Sequence, residues 1–175
     1  MIDVAGVFAI DGHDGAGKTT LARWLAINTG GMYVRTFYGT YGSTLLSAAD
    51  NDDTTLVLTI GEAAICNAIS TAGAVRPIIL DRAWMTVASL IDWHLFMPRW
   101  SMWIPTVLCW ANLDTTMSRL GQRNEQPEAI DIHRKYLDVY RSLAITSDNY
   151  VLRTDLNTVE QCQELLMAWF KNKIS

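Results

Sequence analysis

The sequence predicts a three-layer α/β/α chain built on a five-stranded parallel sheet. Two observations carry this. Short apolar runs alternate with helix-spaced stretches along the whole chain, the pattern of a parallel sheet covered on both faces. The first apolar run also breaks into a glycine-rich loop that opens directly into a helix.

In order, Val4 to Ile10 is a short apolar run that stops at Asp11-Gly12, and Lys18 to Asn28 follows with apolar residues at helical spacing. Met32 to Thr36 makes a second strand. Tyr38-Gly39-Thr40-Tyr41-Gly42 reads as a glycine- and tyrosine-rich turn before a short helix at Thr44 to Ala49. Asn51-Asp52-Asp53 caps a longer helix from about Thr54 to Thr71, which ends near Gly73. Pro77 to Leu80 is a third, buried strand ending at Asp81-Arg82, and another helix begins at about Ala83. Thr106 to Ala111 is strand four, Thr115 to Gln122 is a helix, and Ile130 to Ala144 is an amphipathic one. Tyr150 to Leu152 is strand five, and Val159 to Lys171 is the last helix. No repeat, low-complexity tract or linker interrupts the pattern. A chain of 175 residues, 50% hydrophobic, is therefore expected to fold as one domain over 1–175.

The net charge of −4 gives no overall attraction to a polyanion, which makes nucleic acid a secondary candidate. Cys66, Cys109 and Cys162 are odd in number and widely spaced, and read as reduced, mostly buried thiols of a cytoplasmic protein. With no basic start and no long uncharged apolar span, neither targeting nor a membrane anchor is expected. Trp93, Trp100 and Trp103 cluster around Pro98; helix-packing core is favoured over a stacking role. His13, His94 and His133 lack metal-ligand spacing and read as surface or hydrogen-bonded residues, with His13 the one worth testing.

Gly12-His13-Asp14-Gly15-Ala16-Gly17-Lys18-Thr19 satisfies G-x-x-x-x-G-K-[ST] without a mismatch, between an expected strand and an expected helix. The glycines let the loop wrap so that successive N–H groups and the helix N-terminus face phosphate oxygens. Lys18 adds a mobile charge that reaches β- and γ-phosphates, and the Thr19 hydroxyl is placed to ligate the Mg²⁺ bridging them. Thr20 is expected on the α-phosphate. ATP and Mg²⁺ are thus the expected cofactors.

The wider stretch from Phe8 to Thr20 resembles the thymidylate kinase loop E-G-x-D-G-A-G-K-T-T, with Asp11 in place of the glutamate. Ile79-Leu80-Asp81-Arg82 is similar to that family's strand-end D-R pair, and Pro105-Thr106-Val107 through Leu113-Asp114 to its P-D-x-x-x-x-L-D strand. Arg119 and Arg123, with Glu125 after them, resemble its lid. The resemblance implies a P-loop kinase fold with strand order 2-3-1-4-5 and a lid at about 119–130. It implies that Arg119 and Arg123 clamp the transferring phosphoryl group, a task suited to a guanidinium that meets phosphate oxygens in pairs. By the same resemblance Asp81 holds a Mg²⁺-bound water or orients the acceptor, Arg82 contacts acceptor phosphate, and Asp14 touches the acceptor sugar. A homodimer is common in that family. Lys18, Arg119, Arg123 and Asp81 are the expected catalytic set.

The acceptor side departs from the family. Where R-E-P-G would follow strand two, Arg35-Thr36-Phe37-Tyr38-Gly39 stands, and the long helix carries Glu62 near the expected acceptor-binding D-R pair. A dianionic monophosphate needs cationic partners in a partly dry pocket, so the acceptor is the open question. The expected acceptor is a deoxynucleoside monophosphate, with Asp11, Asp14, Arg35, Tyr38, Arg82 and Trp84 as candidate contacts. The alternative is a hydroxymethyl pyrimidine within DNA, stacked on Tyr38, Tyr41 and Trp84. A free nucleoside is disfavoured because no carboxylate follows strand two before Asp50. A non-catalytic nucleotide-binding module would leave the R-x-x-x-R pair without a task.

Overall fold

The computed structural model describes residues 4–122 and 128–174. Its strands are β1 (Val7–Asp11), β2 (Met32–Arg35), β3 (Ile78–Asp81), β4 (Thr106–Trp110) and β5 (Tyr150–Arg153). They form one sheet in the order β2-β3-β1-β4-β5, and every neighbouring pair is parallel. The helices are α1 (Lys18–Thr29), α2 (Thr40–Asp50), α3 (Thr54–Ala72), α4 (Trp84–Ala88), α5 (Trp93–Phe96), α6 (Leu113–Gly121), α7 (Ile130–Thr146) and α8 (Val159–Ile174).

Alternation along buried strands splits the core into two layers. Val7 and Ala9 of β1, with Ile78 and Leu80 of β3, pack against α2, α3, α4 and α7. Phe8 and Ile10, with Ile79 and Val107, face α1 and α8, where Phe8 meets Trp169 and Phe170 edge-on. The central strand β1 is buried at every position, which explains why it reads as a continuous apolar run. The C-terminal ends of the five parallel strands, four of them closing on a charged residue, point to one edge of the sheet, where α/β folds gather their ligands.

Three local expectations are corrected. The strand expected from Val4 starts at Val7, because Gly6 adopts a left-handed φ of 68° that turns the chain into it. The expected turn over 38–42 is instead the start of α2, which begins at Thr40. Gly42 lies inside that helix, where a Cβ would stand 2.9 Å from the Phe37 carbonyl oxygen. The helix expected from about Ala83 ends after five residues, and its continuation is the short α5. By contrast the cap of α3 forms as expected, with Asp53 accepting from the Leu56 N–H at 2.9 Å.

Helix α3, at mean hydropathy 1.4, is long and apolar enough to pass a compositional test for a membrane span, although Glu62 stands within it. Here it lies on the sheet as a core helix, with Val57, Gly61, Ile65, Ala68 and Ile69 buried. The tryptophan cluster is mainly packing, as expected: Trp100 stacks on Phe96 at 4.9 Å, and Trp93 and Trp103 meet Trp84. Trp103 keeps 43% of its surface exposed. Cys66, Cys109 and Cys162 are free, and the last two are buried.

Gly61 is where α3 and α4 come closest, since a Cβ there would stand 2.6 Å from a Val87 methyl. Val87 is β-branched and fully buried, so it has little room to yield. Gly61→Ala is expected to cost about 1–3 kcal/mol and to lower the thermal midpoint by several degrees, read by calorimetry or circular dichroism.

Candidate active site

The loop between β1 and α1 follows the sheet edge closely. Gly12 is pressed against β4, where a Cβ would stand 2.2 Å from the Cys109 carbonyl oxygen, so no side chain fits. Gly15 and Gly17 take φ of 78° and 87°, and Gly17 caps α1 in the left-handed region. Ala16 is buried in the turn. The loop is held from outside as well. Arg119 donates to the Gly15 carbonyl at 3.1 Å and to Thr154, while the Thr154 hydroxyl donates to the Ala16 carbonyl at 3.0 Å.

Inside the loop a polar cavity of about 230 Å³ is lined by Gly15, Gly17, Lys18, Thr19, Asp81 and Arg82 among others. Lys18 donates to the His13 carbonyl at 2.6 Å and lies 3.7 Å from Asp14. Burial, reinforced by the charge of Arg82, lowers its ammonium to about 8. The Thr19 hydroxyl donates to Asp81 Oδ2 at 2.6 Å, and Tyr33 donates to the same oxygen at 2.9 Å. A hydroxyl and a buried carboxylate meeting beside a phosphate cradle are hard oxygen donors of the kind that suits Mg²⁺ and its waters. The residues present therefore fit the ion.

Arg82 directly follows β3 with φ of 74°, a conformation uncommon for a non-glycine residue. That turn sends the guanidinium back over the loop, where it donates to the Gly12 carbonyl at 2.9 Å, to Tyr140 Oη at 3.1 Å and to Asp14. Burial opposes its charge, but Tyr140, Asp14, Asp11 and Asp81 outweigh that and raise its pKa. For Asp14, burial acts upward while Arg82 and Lys18 prevail and hold the carboxyl at about 2. Asp11 is fully buried. Its oxygens accept from the N–H groups of Gly12, Ala83 and Thr86 and from the Thr86 hydroxyl at 2.7 Å. Having given its proton to Asp11, Thr86 receives one from Tyr140 across 3.0 Å.

Two further cavities flank the cradle. One, about 420 Å³, is lined by Thr20, Leu21, Arg119, Gln122, Asn157 and Val159. The other, about 250 Å³, lies under α2 and α7 and is lined by residues that include His13, Arg35, Phe37, Leu45, Tyr136 and Tyr140. Asp14, Arg35 and Arg82 line both it and the cradle.

The sheet edge thus brings together Asp14, Lys18, Thr19, Thr20, Arg35, Asp81 and Arg82 of the residues the sequence singled out. Others lie elsewhere. Asp11 is enclosed, with no oxygen turned to a cavity, because it ties β1 to α4. Trp84 is 1% exposed and donates from Nε1 to the Ile104 carbonyl, inside the aromatic core. Glu62 accepts from Ser101 and does not line the cavity under α2 and α7. Tyr38 is 71% exposed, under the Arg35 guanidinium at 5.7 Å. Arg119 lines the larger cavity. Arg123 and Glu125 lie outside the described residues, as does most of the expected lid. The sequence reading passed over Tyr33, Thr86, Tyr136, Tyr140 and Thr154, and took His133 for a surface or hydrogen-bonded residue. Its missed signal was His133, Tyr136 and Tyr140 at i, i+3 and i+7, polar aromatic residues on the apolar face of an amphipathic helix.

Neither a protein-family model nor any curated protein sequence matches this chain. Solved structures do. It is similar to the deoxyadenosine kinase of M. mycoides with bound dATP, at TM-score 0.67 and 14% identity, over 94% of this chain and 99% of that one. The same enzyme with its products dCMP and dCDP matches at TM-score 0.62 and 16% identity, over 95% and 99%. With dCTP the values are 0.60 and 16%, over 95% and 99%. The fold is therefore that of the P-loop kinases, in the expected strand order.

The lowered Lys18 ammonium has a measurable consequence. An anion is held by the protonated form, so the affinity for pyrophosphate is expected to be level below about pH 8 and to fall above it. Titration calorimetry from pH 7 to 9.5 checks this, and Lys18→Ala should bind more weakly with a flatter profile.

Proposed function

We propose that this protein is an ATP-dependent phosphotransferase whose acceptor is a nucleoside monophosphate held in the cavity under α2 and α7. The observation that carries the reading is that Arg35 and Arg82 both stand where this cavity meets the phosphate cradle. Two guanidiniums at that boundary supply the positive charge that the long helix lacks. The apolar walls of Phe37, Leu45, Leu46 and Leu90 suit a base, and Tyr136 offers an aromatic face.

The donor base is placed in the larger cavity, beside Arg119 and Asn157, with its phosphates running through the cradle. Loop N–H groups and Lys18 hold the β- and γ-phosphates. Thr19 and Asp81 would hold Mg²⁺, which would supply neutralisation of phosphate charge there. Arg35 and Arg82 aim the acceptor's phosphate oxygen at the γ-phosphorus. A new P–O bond forms in line as the bond to the β–γ bridging oxygen breaks, and ADP leaves. The attacking phosphate is already ionised near neutral pH and needs no base. We assign Arg123 to the lid, closing over the γ-group.

A second reading, a free nucleoside acceptor, draws on Asp14, a carboxylate that lines both cavities and would take the hydroxyl proton there. Its pairing with Arg82 and Lys18 makes it a weak base, which is why the monophosphate is preferred. The solved deoxyadenosine kinases share the fold and supply the precedent for this second acceptor. The DNA-base reading is weaker, since Trp84 is turned into the core.

Transfer from γ-labelled ATP with Mg²⁺ to a panel of deoxynucleoside monophosphates, free nucleosides and hydroxymethylated DNA tests the assignment. Efficient labelling of a monophosphate is expected; labelling of nucleosides alone transfers the role to Asp14, and labelling of DNA alone overturns both. Arg35→Ala should raise KM for the monophosphate roughly 10- to 100-fold with a smaller change in KM for ATP. Arg123→Ala should lower kcat far more than ATP affinity.

A further inference from the structure

His13 is the loop residue that no step above employs, and it is bonded on two sides. Its backbone carbonyl accepts from Lys18 at 2.6 Å, the ammonium that must turn toward phosphate when a donor arrives. Its ring reaches in the other direction. Nε2 lies 2.7 Å from Nδ1 of His133, which is 120 residues away along the chain and one turn inside α7. The ring also stacks on Tyr136 at 5.7 Å between centroids and 10° between planes.

Both imidazoles are buried, at 7% and 4% exposure. His133 Nε2 has no hydrogen-bond partner among the described residues, so the polar hold on this ring comes from His13. Burial lowers the His13 imidazole to about 4, with His133, Lys18 and Arg82 disfavouring its charge further against the opposing pull of Asp14. The two rings are thus joined by a hydrogen bond with His13 uncharged at neutral pH, and the tautomers set which nitrogen donates. The same face of α7 presents Tyr136 and Tyr140 to the acceptor-side cavity, and Tyr140 holds Arg82. One loop residue therefore touches the phosphate-sensing lysine through its backbone and the acceptor-side helix through its side chain.

We infer that the His13–His133 pair is a positioning device that couples phosphate occupancy of the loop to the seating of α7 over the acceptor-side cavity. This rests on the donor reading above. When phosphate draws Lys18 away, the His13 carbonyl loses a buried cationic partner and the loop resettles around its N–H groups. The His13 ring moves with its backbone, and the bond to His133 passes that shift to the helix carrying Tyr136 and Tyr140. Neither histidine takes part in the chemistry.

Hydrogen exchange of the full chain, with and without a non-hydrolysable ATP analogue and Mg²⁺, tests the coupling without needing the acceptor. In the unaltered chain the analogue is expected to slow exchange both in the loop over 12–19 and, about tenfold, in α7 over 134–140. In His133→Phe, which fills the space without the polar contact, loop protection should persist while the response of α7 is lost. His133→Asn, whose amide can replace the ring nitrogen, should restore it. His133→Leu repeats the comparison, so that the outcome does not hang on one variant folding. An undiminished α7 response in the Phe and Leu variants overturns the coupling and leaves the donor reading intact. Absence of loop protection in the unaltered chain overturns the donor reading and the coupling together.

Discussion

The buried Asp11 carboxylate is the constraint on which the rest of this sheet edge depends. It sits at the end of the central strand and takes four hydrogen bonds, from Gly12, from Ala83 and twice from Thr86. A carboxylate placed there without those partners would be strongly unfavourable. With them it fixes the first residue of the phosphate loop, the start of α4 and, through Thr86 and Tyr140, the guanidinium of Arg82. The residue that sequence comparison would place near the acceptor thus acts one layer deeper, as the anchor of those that face it.

The parallel sheet was legible because each strand is short, apolar and followed by a helix, and because the glycine loop announced the first crossover; its strand order came from the resemblance to the thymidylate kinases. What was harder to read follows from the same physics. Gly39 and Gly42 argue for a turn by propensity, yet α2 runs through Gly42 because the absent side chain lets the helix approach Phe37. Trp84 reads as a stacking platform in isolation, but the surrounding aromatic residues draw it into the core. Local pattern shows which elements form; which face a single residue takes is decided by tertiary partners far away in the chain.

The candidate site shows the same division. The loop residues were readable from their spacing, since phosphate binding needs consecutive N–H groups and a lysine at a fixed offset. The acceptor side was not. Its walls come from α2, α4 and α7, segments separated by dozens of residues, and its cations come from the ends of two different strands. His13 and His133 illustrate the limit well. Each is unremarkable where it stands, and only the fold reveals that they form one pair.

The cradle lies between its two neighbours, sharing Gly15, Gly17 and Thr20 with one cavity and Asp14, Arg35 and Arg82 with the other. Two molecules entering by such mouths approach from opposite ends and need not pass one another. Neither has to leave before the other is admitted. Under the proposed activity this geometry admits both molecules at once, and a ternary complex gives intersecting rather than parallel lines in initial-rate plots. A phosphoenzyme shuttle has no place in that scheme, because donor and acceptor can meet directly across the loop.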